Sequence, residues 1–255
     1  MRMNTLINKI HNENCLVTLG RMDDNSIDLT VTSPPYDNLR DYEGYEFDFE
    51  SIAKELFRVT KDSGVVVWIV GDATFKGSET GSSFKQALHF KEIGFNIHDT
   101  MIYEKNSSTF PARKGSNRYT QIFEYMFVLS KGAPINQLIC DKKNKWAGHK
   151  DFGGTLKNPV PEYSPRNNIW RYVTSFGGVD HPAPFPEQLA EDHILSWSKE
   201  GDVVYDPFMG SGTTAKMSKL NNRNFIGSEL SINYCDIANE RVNNAIIRES
   251  LFEEE

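Results

Sequence analysis

The stretch Val203-Val204-Tyr205-Asp206-Pro207-Phe208-Met209-Gly210-Ser211-Gly212-Thr213-Thr214-Ala215 decides how the chain is read. Val203 to Tyr205 predicts a short strand, Asp206 to Gly212 a glycine loop, and Thr213 to Leu220 a helix. Asn224 to Leu230 follows as another strand, and Ser231 caps a last helix running to about Arg248. Strand, loop, helix, strand, helix is the unit of a parallel α/β layer, so the expected fold class is α/β.

Upstream, a helix from about Pro186 to Lys199 feeds this unit, proline being tolerated where the first amide is unpaired anyway. The first third of the chain repeats the pattern. Ile27 to Thr32 is a β-branched, alternating run that stops at Ser33-Pro34-Pro35-Tyr36. Phe49, Ile52, Ala53, Leu56 and Phe57 recur at helical spacing, Asp62-Ser63-Gly64 turns the chain, and Val65 to Val70 is the unbroken apolar run of a buried parallel strand. A helix from about Ser83 to Glu92 and strands near Phe95 to Tyr103 and Ile122 to Leu129 complete this part. Three spans are expected: 1–104 as one half of an α/β domain, 176–255 as its other half, and 105–175 as an insert of loops and short strands.

Composition limits the functions available. With 255 residues, 38% hydrophobic and 12% aromatic, the chain can bury a large core, which excludes disorder for most of its length. A net charge of −7 argues against a general nucleic-acid binder, but its distribution is uneven. Residues 105–175 hold 12 Lys and Arg against 4 Asp and Glu, leaving a net of −15 elsewhere. Cys15, Cys140 and Cys235 are odd in number and form no CxxC pair, and no histidine sits at metal-ligand spacing, so neither disulfides nor a metal is expected. No apolar run approaches the roughly 20 residues that span a bilayer, and no secretory core precedes the first strand, so a soluble, cytoplasmic chain without a membrane partner is expected.

Gly210 to Ala215 fits G-x-G-x-x-A, and Glu229 lies 19 residues beyond Gly210, where a carboxylate can accept ribose hydroxyls. A tight strand-to-helix turn would use the same glycines. Asp206 stands where a pyrophosphate would lie and would repel it. S-adenosylmethionine carries no phosphate and offers an ammonium, for which Asp206 is a partner. A Walker loop is excluded because Gly-Lys-Ser/Thr is absent. By composition Ser33-Pro34-Pro35-Tyr36 is an extended turn or a polyproline ligand, but a strand's carboxyl end is where α/β sheets bind ligands. The lone pair of a base's exocyclic amine is delocalised, so a site must hold the amine with acceptors. The Ser33 hydroxyl and the Pro34 carbonyl suit that task, and Tyr36 offers a stacking face.

Thr32-Ser33-Pro34-Pro35-Tyr36, then His181-Pro182-Ala183-Pro184-Phe185-Pro186, then Asp206 to Thr214 closely resemble the amino-methyltransferases of DNA, in the order of their permuted β group. The resemblance implies a Rossmann-like methyltransferase fold with a mostly parallel twisted sheet, circularly permuted motif order and a small recognition insert. It implies S-adenosylmethionine as cofactor, with Asp206, Phe208, Gly210, Gly212 and Thr213 along its methionine side, Ser211 in the same loop, and Glu229 on its ribose. Pro182 and Phe185 match a further cofactor-contacting stretch. Asn14 and Cys15 match a place where Asp usually meets the adenine ring; Asn14 departs from that pattern, its oxygen being the expected contact. Ser33, Pro34, Pro35 and Tyr36 would be catalytic. Family members with Ser at the first position more often methylate cytosine N4, and those with Asp adenine N6, so the resemblance leans to cytosine N4 and leaves adenine N6 open. Cytosine C5 chemistry needs a cysteine that is absent here.

The implied partner is double-stranded DNA, held by Lys105, Asn106, Arg113, Lys114 and Arg118, although a solvated basic face would have the same composition. A homodimer, common in the family, and a restriction endonuclease are further partners left open. Two other classes compete: an NAD-dependent oxidoreductase built on the glycine fingerprint, and a DNA-binding module without catalysis.

Overall fold

Every side chain from Val65 to Val70 is buried, and alternate ones serve opposite faces. Val66, Trp68 and Val70 join a cluster with Leu19, Ile52, Leu56 and Phe90, whereas Val65, Val67 and Ile69 pack with Leu189, Ile194 and Trp197. A strand covered on both faces needs that run. The computed structural model describes residues 3–35, 47–106, 112–135, 137–150, 158–173 and 186–246.

In chain order these comprise β1 (Lys9–Asn12), α1 (Cys15–Leu19), β2 (Ile27–Thr32), α2 (Phe49–Val59), β3 (Thr60–Val70), β4 (Thr74–Phe75), β5 (Ser78–Glu79), α3 (Ser82–Glu92) and β6 (Asn96–Lys105). Then come β7 (Phe123–Ser130), β8 (Lys142–Lys143), β9 (Tyr163–Ser164), β10 (Ile169–Tyr172), α4 (Glu187–Trp197), β11 (Val203–Asp206), α5 (Thr213–Leu220), β12 (Asn224–Glu229) and α6 (Ile232–Asn243). Eight strands form one sheet in the order β1-β12-β11-β2-β3-β7-β6-β10. Its pairings are parallel except those of β7 with β3 and β6. The α/β, mostly parallel, Rossmann-like fold is therefore as the sequence leads one to expect.

The expected three-way division is redrawn by this topology. Residues 105–175 are not only an insert, because β7 lies inside the sheet and β10 pairs with β6 at its edge. The continuous buried run of β7, Met126, Phe127, Val128 and Leu129, needs cover on both faces. Arg166 fastens the span further: Nη1 lies 2.6 Å from Asp192 on α4, Nε lies 2.9 Å from Asp141, and the guanidinium covers the Trp170 ring. No helix among the described residues is long and apolar enough to cross a membrane.

Candidate functional site

Because β12, β11 and β2 are parallel neighbours, their carboxyl ends line one edge. Asp206 ends β11 and Thr32 ends β2. The Thr32 hydroxyl donates to Asp206 Oδ1 at 2.6 Å, a buried bond between residues 174 apart in the chain. The Thr214 hydroxyl donates to the Val31 carbonyl at 3.1 Å. The proline tetrapeptide and the glycine loop thus spring from adjacent strand ends, as the permuted order requires. Ser33 and Pro35 are half-buried and Pro34 is buried, whereas Tyr36 lies outside the described residues, as do Pro182 and Phe185.

Asp206 is 1% exposed, and no cation pairs with it among the described residues. Burial pushes its pKa up to about 6, against the pull of the hydrogen bonds from the Thr32 hydroxyl and the Phe208 amide at 3.0 Å. A buried carboxylate short of a counter-charge is the donor set that an ammonium completes, so the residues fit the methionine end of S-adenosylmethionine. Glu229 ends β12. Its oxygens accept from the Gly210 amide at 2.8 Å and the Ser231 amide at 2.9 Å, and burial raises its pKa. Each carboxylate oxygen keeps capacity for a hydroxyl donor.

The loop between them is built by glycine. Gly212 has φ 82°, and a Cβ there would come 2.7 Å from Ala238 Cβ on α6. Phe208 rests edge-on against Phe47 at 5.6 Å. Buried Ser211 and Thr213 complete the turn, and Arg241 of α6 donates to the Ser211 carbonyl at 2.5 Å and its hydroxyl at 2.8 Å. The Ser211 hydroxyl is therefore engaged with Arg241. The same guanidinium reaches Glu187 at 2.6 Å, which also takes Lys216.

β1 pairs with β12, Asn12 opposite Glu229, which carries Asn14 and Cys15 past the same edge. There the Asn14 oxygen accepts from the Leu16 amide at 2.9 Å as the cap of α1, and Cys15 is buried.

The basic span is also less free than its charge suggests. Lys105 lies 2.5 Å from Glu124 and above the Tyr103 ring, so part of its charge is already paired. Lys131 bonds Asn25 and two carbonyls of the body, and Arg171 pairs with Glu104. Arg118 is exposed, yet it lies 3.6 Å from Glu79 and donates to the Gly77 carbonyl. Asn106, Arg113 and Lys114 are exposed. Sequence reasoning missed the role of Thr32, the Arg241 clamp and the strand β1, although an Arg on the inner face of a helix with Ala238 and Val242 is a readable signal.

A family profile described as DNA methylase, of the N6 and N4 type, matches residues 27–240. The orphan methyltransferase M.BamHII of Bacillus amyloliquefaciens is 60% identical over 246 residues, 88% of this chain and 91% of that protein. TTHA0409 of Thermus thermophilus, solved in complex with S-adenosyl-L-methionine, is 26% identical, with 93% of each chain covered and a TM-score of 0.66. The PvuII cytosine-N4-specific DNA methyltransferase shares the fold at 21% identity and a TM-score of 0.72, over 96% of this chain and 87% of that one.

Proposed function

The chain belongs to the N6/N4 family of DNA methylases, and on that footing we propose that it transfers a methyl group to the N4 amine of cytosine in double-stranded DNA. The observation that carries this reading is the Thr32–Asp206 hydrogen bond at 2.6 Å, which ties the amine-binding strand end to the cofactor loop. The choice of cytosine rests on Ser33 at the head of the tetrapeptide.

Asp206 would hold the ammonium of the cofactor and Glu229 its ribose, with the Gly210–Gly212 turn giving close approach between them. When bound, S-adenosylmethionine supplies an electrophilic methyl carbon, which the amine nitrogen takes as the carbon–sulfur bond breaks. The Ser33 hydroxyl and the Pro34 carbonyl accept the amine's hydrogens and direct its lone pair out of ring conjugation. Ser33 is too weak a base to keep the amine's proton, which passes to solvent. Tyr36 would stack on the base once it leaves the duplex. No side chain forms a covalent bond to the substrate in this reading.

Asp206 opposes the dehydrogenase alternative, since a pyrophosphate beside a buried carboxylate is repelled. Arg113 and Lys114 favour duplex DNA as the partner, and the name of the 60%-identical relative, an orphan methyltransferase, favours a chain acting without a dedicated restriction endonuclease. A second copy of the chain would let a small recognition span grip a duplex. Nucleoside mass spectrometry of DNA incubated with the chain and S-adenosylmethionine tests the proposal. N4-methylcytosine is expected, N6-methyladenine would transfer the same chemistry to the other base, and no methylated nucleoside would overturn the reading.

A further inference from the structure

Beyond the carboxyl end of β3, the short pair β4 and β5 forms a hairpin closed by Lys76 and Gly77. Both turn residues have positive φ, 48° and 79°, the geometry of a type I′ turn. Glycine and asparagine adopt that conformation readily and lysine does not, so local preference is not what places a cation at this tip. The Lys76 ammonium lies 5.2 Å from the centre of the Phe75 ring, and Phe75 is 66% exposed. One exposed aromatic is ordinary on a protein surface. A rigidly rooted one beside a strained cation is not.

The root is Asp72. Its carboxylate accepts from Ser83 Oγ at 2.6 Å, the Ser83 amide at 3.0 Å and Ser82 Oγ at 3.2 Å, while the Thr80 amide donates to the Ala73 carbonyl at 3.0 Å. The flank is braced by Arg118, which bonds the Gly77 carbonyl and pairs with Glu79, and the next residue, Tyr119, is fully exposed. The hairpin also stands at the right edge. Thr32 is level with Trp68 in the parallel β2–β3 register, so Ser33 to Pro35, which follow β2, and the hairpin that starts at Thr74, four residues after β3, both lie past the carboxyl ends of neighbouring strands.

We propose that this hairpin is a DNA wedge: Phe75 inserts into the base stack beside the target as the base swings out, and Lys76 holds a flanking phosphate. The inference rests on the methyltransferase reading above and adds a contact outside the basic span that sequence composition singled out. An apolar side chain that occupies a base step lowers the cost of unstacking, and a cation beside it offsets phosphate charge.

The test uses the full chain and oligonucleotide duplexes carrying the methylated site, once sequencing of treated DNA has located it. On a fully paired duplex, Phe75→Ala should lower kcat/KM about tenfold or more, because unstacking is no longer assisted. With an abasic position opposite the target base, the same variant should come within about threefold of the unsubstituted chain, since that base is already unpaired. Lys76→Asn suits the turn, so it should melt no lower while the slope of log affinity against log salt falls by about 1. Equal losses on both duplexes, no loss on either, or an unchanged salt slope would overturn the wedge. An unsubstituted chain inert toward every DNA would instead overturn the methyltransferase reading.

Discussion

Replacing Thr32 by Val keeps shape and volume but removes the hydroxyl that donates to Asp206 at 2.6 Å. A hydrogen bond to a charged group contributes about 1.5–3 kcal/mol. Much of that favours the ionised carboxylate, so the Asp206 pKa, already raised by burial to about 6, should climb by about one to two units at about 1.36 kcal/mol per unit. A carboxyl whose folded pKa exceeds its unfolded one loses folding stability as pH rises between the two values. In the native chain that loss ends near pH 6; in Thr32→Val it continues for a further one to two units, costing about 2 kcal/mol more at pH 8.5 than at pH 5. The same shift moves the pH below which S-adenosylmethionine affinity declines, because the ammonium needs the anion. Calorimetric titrations and melts at half-unit steps from pH 5 to 9 read both effects. A variant whose affinity drops by one factor at every pH, or whose melting difference is flat with pH, would show that Thr32 does not set the charge on Asp206.

Asp206→Asn removes the buried charge altogether. A shift from 3.8 to about 6 corresponds to about 3 kcal/mol, so this variant should melt several degrees higher than the native chain at pH 8, with the gain shrinking toward pH 5, and should bind S-adenosylmethionine far more weakly. Arg166→Met leaves Asp192, whose side chain is 6% exposed, without its cation, and should destabilise the chain by about 3–5 kcal/mol in denaturant titration. Ser33→Ala should cut kcat strongly while cofactor affinity changes little; single-turnover rates equal to the native chain would remove Ser33 from amine binding.

The sheet was legible in the sequence because its strands are short apolar runs with sharp ends. Val65 to Val70 cannot be a solvated strand, and Pro34 and Pro35 cannot continue β2. Asp206 and Glu229 were legible because their distances from the glycines are fixed by one strand and one helix. What escaped was pairing at long range. That Lys105 meets Glu124 depends on a strand register that no local pattern records. That Asn14 caps α1 was not legible, since a residue that caps a helix looks the same in sequence as one that meets a ligand. β1 has only four residues and therefore too little periodicity to stand out. The hairpin's tip escaped because a Lys-Gly pair does not advertise the turn that Asn-Gly does.

The place of β1 has a bearing on synthesis. Among the described residues, Lys9–Asn12 at the margin of the sheet pair only with β12, Lys9 with Ile226, so β1 leaves the ribosome and waits, unzipped, for a strand made far later. Glu229, the glycine elbow and the strand that flanks them arrive together in that interval. A chain stopped short of β12 would therefore lack both the partner of β1 and the carboxylate proposed to hold the cofactor's ribose.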